Sequence, residues 1–101
     1  MTPDDVAAHA ASLPRCKRKG TAAKPAWYVD DRLVARLEDA TTLTIRTLPG
    51  PRERLLADHP GTFGVPPRFE SHMMVVIELP HADPEAFARA VSEAVALQRK
   101  R

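Results

Sequence analysis

The chain is poor in the residues that most small functional sites are built from. Among its 101 residues there is one cysteine, Cys16, so no intrachain disulfide and no multi-cysteine zinc site can form, and a reducing cytoplasm is the compartment this usage fits. Only four glycines are present, and none forms a Gly-rich phosphate loop, which leaves nucleotide hydrolysis without support. Long apolar runs are missing too. The longest, Met73 to Ile77, is far short of the roughly 20 residues a spanning helix needs. The start, Met1-Thr2-Pro3-Asp4-Asp5, is acidic and lacks the basic and apolar regions of a secretory signal, so a soluble, cytoplasmic protein is expected, with no membrane partner. Neither charge sign dominates: 15 Lys+Arg against 13 Asp+Glu gives +2, which permits a nucleic-acid partner without requiring one. At this length a single domain over residues 1–101 is expected, with little apolar sequence to spare for an enclosed active site.

What is present is a regular alternation of helical and extended patterns. Thr2 as cap, Pro3 at the first position and Asp5 three residues after Thr2 predict a first helix ending near Ser12, with Val6, Ala10 and Leu13 on its buried stripe. Arg15 to Pro25 has five cations, Arg15, Lys17, Arg18, Lys19 and Lys24, no acid and no hydrophobic period, and reads as a mobile basic loop. The period then changes to two. Trp27-Tyr28-Val29, Arg32 to Leu37 and Thr42 to Thr47 read as three strands of a meander, joined by turns at Asp30-Asp31 and Glu38-Asp39-Ala40. This pattern puts Leu33, Ala35, Leu37, Leu43 and Ile45 inward and Arg32, Arg36 and Arg46 on the opposite face.

Pro49-Gly50-Pro51 breaks the sheet and leads into a second short helix through Leu55 and Leu56, ended by His59-Pro60-Gly61. A short strand at Thr62 to Val65, an extended exit at Pro66-Pro67 and a longer strand from Met73 to Leu79 follow. Asp83 as cap, Pro84 and the stripe Phe87, Val91, Ala94 and Val95 predict the last helix. The order α-β-β-β-α-β-β-α predicts a two-layer α+β fold: one antiparallel five-stranded sheet, helices on one face, the other face open to water or to a protein partner.

The same landmarks resemble the MmcQ/YjbR family of small bacterial proteins. The resemblance runs almost the whole length: Leu13-Pro14, Trp27-Tyr28-Val29 with Arg32 to Leu37, Leu43-Thr44-Ile45-Arg46, Arg52-Glu53 with Leu55-Leu56, Asp58 to Phe63, Val75 to Leu79 and Asp83-Pro84-Glu85. It implies a secretion-chaperone-like architecture and a DNA-binding role through a double-wing arrangement of hairpins. Ser71-His72-Met73 stands where many members carry a tryptophan, and Arg15 to Lys19 is more basic than the corresponding segment usually is.

The candidate interface is therefore cationic. Lys17, Arg18, Lys19 and Lys24 are placed against phosphate, with Arg32, Arg36 and Arg46 positioning the sheet and Trp27 or Phe69 beside a groove. About four phosphate contacts would give a log-log salt slope near −3.6. The plainer alternative is that the arginines solvate a sheet face beside Glu38 and Glu78, and that Arg99-Lys100-Arg101 only complements a helix dipole. No enzymatic activity, cofactor, metal or small-molecule substrate is expected. His9, His59, His72 and His81 lack metal-ligand spacing, and Ser12, Ser71 and Ser92 lack a readable triad. Cys16, between Arg15 and Lys17, is in a setting that lowers a thiol pKa, but no catalytic signature accompanies it. Trp27, Met73 and Met74 read first as packing residues and second as an exposed patch for a protein partner.

Overall fold

The computed structural model describes residues 1–100 of the chain. Its first helix, α1 (Pro3–Ala11), starts as its cap chemistry dictates: the Thr2 hydroxyl accepts the Asp5 N–H at 3.2 Å, and the Asp5 carboxylate accepts the Thr2 N–H at 2.8 Å. Then come β1 (Cys16–Gly20), β2 (Pro25–Val29), β3 (Arg32–Leu37) and β4 (Thr42–Arg46), followed by α2 (Pro49–Asp58), β5 (Phe63–Gly64), β6 (Met74–Glu78) and α3 (Pro84–Gln98). Asp83 caps α3 by accepting the Ala86 N–H at 2.9 Å. No helix among the described residues is long and apolar enough to cross a membrane.

The strands form one six-stranded sheet in the order β1-β2-β3-β4-β6-β5, every neighbouring pair antiparallel. The helices α1, α2 and α3 complete an α+β fold. The expected count of five strands misses β1, because the segment read as a basic loop is an extended edge strand. An edge strand that meets only the margin of α1 on one face and nothing on the other needs no apolar alternation: Cys16 alone packs against the core, and Lys17, Arg18, Lys19 and Gly20 are all exposed. Its turn onto β2 depends on Gly20, whose φ is +88° and where a Cβ would lie 2.5 Å from the Lys24 carbonyl oxygen. At the other edge β5 is only two residues long, and β6 begins at Met74, leaving Met73 outside the strand and exposed.

A β-bulge resets one strand. Trp27 pairs with Ala35 but Tyr28 pairs with Leu33, so Val34 is an extra residue. Val34 and Ala35 are consequently both buried, at 1% and 3% exposure, while Leu33 moves to the face of Tyr28. The core joins Val6 and Ala10 of α1, Leu55 of α2 and Phe87, Val91 and Val95 of α3 to Trp27, Val34, Leu37, Ile45, Val75 and Ile77 of the sheet. Each such aliphatic or aromatic side chain taken from water contributes about 1.5–3 kcal/mol. Ala26, Thr44 and Val76 are also buried, yet they point away from the helices: they pair across β2, β3, β4 and β6 at the positions of Arg36.

Candidate nucleic-acid interface

The register decides where each candidate cation points, since directly paired residues share a face. Lys17 lies opposite Tyr28 and Lys19 opposite Ala26, on the face away from the helices. Arg36 lies opposite Thr44 on that same face, and Arg46, two residues beyond Thr44, opposite Met74. Arg18 lies opposite the buried Trp27 and faces α1. Arg32 lies opposite the buried Val29, so it too belongs to the helix side, at the rim. Simple alternation expected Arg32 beside Arg36 and Arg46. The extra residue Val34 moves it to the other side. Lys24 is exposed in the turn between β1 and β2.

The cations are also interleaved with acids. Lys19 pairs with Asp31 at 3.0 Å and stands over the Tyr28 ring, 5.2 Å from its centroid. Arg15 pairs with Asp30 at 2.6 Å. Arg36 gives two hydrogen bonds to the Glu38 carboxylate, at 3.0 and 2.8 Å, and the Thr44 hydroxyl donates a third at 3.0 Å. Burial by itself would raise the Glu38 pKa, but the donors from Arg36 and Thr44 outweigh it and hold the carboxyl below its ordinary value. Arg36 is therefore a structural cation that closes over the sheet, as the plainer alternative has it. Lys17, Arg18, Lys24, Arg32 and Arg46 form no ion pair among the described residues.

The turn that carries Asp30 and Asp31 explains why acids sit here. Both residues have positive φ, 51° and 64°, as a two-residue hairpin turn of type I′ requires. Asp tolerates that region because its short polar side chain can bond locally. The Asp30 carboxyl is held below its ordinary pKa first by the Lys100 backbone N–H and then by Arg15.

Other sequence candidates are placed plainly. Trp27 is 3% exposed and belongs to the core, so it cannot stack on a base. Phe69 is half-buried, with the Arg68 guanidinium 4.8 Å from its ring centroid. Burial pushes the Cys16 thiol up, opposite to the lowering expected from its basic neighbours, because the side chain tucks against the core while Lys17 points away from it. His9 stacks edge-on against Phe87 at 5.1 Å and His72 against Phe69 at 6.2 Å. Among the described residues, no three His, Cys, Asp or Glu side chains gather as metal ligands would.

Arg52 has a role that sequence reasoning missed. Its guanidinium donates to the carbonyls of Phe69, His72, Met74 and Glu70 at 2.8 to 3.3 Å, fastening the proline-rich segment before β6 to α2. Nothing local in the sequence marks it, since its partners lie 17 to 22 residues away.

No protein-family model matches the chain, and no curated protein matches it. Its fold does have a solved counterpart. The chain is similar to the crystal structure of Deinococcus radiodurans protein DR2400, described by the family domain DUF419, with a TM-score of 0.76. The match covers 95% of this chain and 77% of that one at 18% identity, which establishes a shared architecture.

Proposed function

We propose that the protein is a non-enzymatic domain of the MmcQ/YjbR type that binds duplex DNA weakly and without sequence preference, through the β1–β2 hairpin. The observation that carries this reading is the state of that hairpin. Lys17, Arg18 and Lys24 are exposed on it and make no ion pair among the described residues, with Lys17 and Arg18 on opposite faces of the same ribbon. A ribbon charged on both faces suits a groove flanked by phosphates on both sides. The DUF419 counterpart supports the fold type, and a cytoplasmic setting suits a chain with one cysteine. Lys19 has to leave Asp31 before it can serve phosphate, while Arg36 is committed to Glu38 and Arg32 faces elsewhere.

The arrangement supports about three contacts rather than four, so the expected log-log salt slope is near −2.7. Titrating binding to a short duplex against salt tests this. Replacing Lys17, Arg18 and Lys24 together by alanine should shallow the slope by up to about 0.9 per lost contact and change stability little, since these are exposed side chains. A slope that survives the triple change, or no binding at low salt, overturns the reading.

A rival partner surface, the sheet face opposite the helices, has less to offer. Its centre is filled: Thr44, Ala26 and Val76 are buried beneath the Arg36–Glu38 pair and its neighbours.

A further inference from the structure

The outer margin of β1 is a free sheet edge five residues long, straight in register with β2 from Cys16 to Gly20 and without a proline. The Thr21 N–H bonds the Lys24 carbonyl at 3.3 Å, which sets the parity of the hairpin. On that parity Lys19 and Lys17 bond inward to β2, and Arg18 turns its N–H and C=O off the sheet. Cys16, of the same parity as Arg18, already gives its N–H to the Leu13 carbonyl. Beside this edge, on the helix side, runs a shallow trough lined by Ala7, Ala8, Ala11, Cys16, Arg18 and Trp27. On the other side stand Lys17, which forms no ion pair among the described residues, and Lys19, whose exposed pair with Asp31 at 3.0 Å a guest carboxylate has to replace.

We propose that β1 takes up an extended acidic protein segment as a seventh strand, with carboxylates opposite Lys17 and Lys19 and small apolar side chains in the alanine-lined trough beside α1. Backbone pairing supplies the general attraction and the alternate side chains supply the choice of partner. Charge decides the occupant. If a second copy of this chain paired antiparallel about Arg18, it would set Arg18 against Arg18 and Lys17 against Lys19, and like charges directly opposite are destabilising. The same cations that guard the edge against self-pairing favour an incoming strand of opposite sign. Alternation follows from the pleat, because successive residues of the guest face the lysines and the trough in turn.

A labelled peptide of repeating Val-Glu, followed by fluorescence anisotropy, tests the proposal. Binding is expected, together with slowed amide exchange at Arg18. The double change K17E/K19E should weaken the peptide about tenfold and confer binding of the Val-Lys counterpart. N-methylating the peptide amides that face β1 should abolish binding at unchanged charge, which separates strand pairing from loose electrostatic contact and does not depend on any protein variant folding. Equal binding of the N-methylated peptide, equal binding of Val-Lys by the unaltered protein, or binding of duplex DNA without any of the peptide, each overturns it.

Discussion

The Gln98 side-chain amide donates to the backbone carbonyl of Leu33 at 2.6 Å, joining the last turn of α3 to the strand that carries the β-bulge. An extra residue in β3 interrupts the sheet ladder and leaves backbone groups seeking partners. Here the far end of the longest helix supplies one. The bond is partly buried, so truncation leaves a carbonyl short of a donor. Gln98→Ala should cost about 1 kcal/mol, read as a lower urea midpoint at unchanged slope. No change in midpoint would mean water replaces the amide.

On the other face, Glu38 is the hub for Arg36 and Thr44. Replacing it with alanine strands a guanidinium and a fully buried hydroxyl above the sheet. The expected loss is about 1–3 kcal/mol. Glu38→Gln, which keeps an acceptor oxygen, should recover part of it, and a glutamine variant as weak as the alanine one would refute the hydrogen-bond account.

Acid should loosen the join between the β2–β3 turn and the end of α3. Asp30 has a folded pKa below its unfolded value because the Lys100 N–H and Arg15 both favour its charged form. Its contribution is therefore complete above an unfolded pKa of about 3.9 and fades as pH falls through the lower folded value. Asp30→Asn should flatten the pH dependence of stability in that acidic window and leave the shape of the curve near neutrality alone. Chemical denaturation across pH 2 to about 6 measures it.

Arg52 is the fourth test. Its four carbonyl partners hold the segment from Phe69 to Met74. Arg52→Ala should cost about 2 kcal/mol and open the segment to proteolysis. Lysine at the same position offers a point charge rather than a planar fork, so it should rescue only in part.

The capped helices were legible because their signals are local: Thr2 with Asp5, and Asp83 followed by Pro84, sit within four residues of what they stabilise. The central strands were legible for a related reason, since Leu43, Ile45, Val75 and Ile77 alternate against a real core. β1 escaped notice because only Cys16 of its five residues is packed against the core, and periodicity reports burial rather than extension. The bulge at Val34 escaped because a buried valine and a buried alanine in succession look like an ordinary strand, and the misplacement of Arg32 followed directly from it. Of the candidate cations, composition marked Arg15 to Lys24 as a basic segment but read it as a loop, where the chain forms β1 and its turn onto β2. Pairing partners, which decide whether a charge is free, come from residues distant in the chain, as with Arg15 and Asp30 or Lys19 and Asp31.

β1 adds almost nothing to the apolar interior. Substitutions at its three exposed cations, Lys17, Arg18 and Lys19, are therefore free to alter what the molecule attracts without loosening how it holds together, and chains sharing this architecture can diverge in taste for partners while keeping one scaffold.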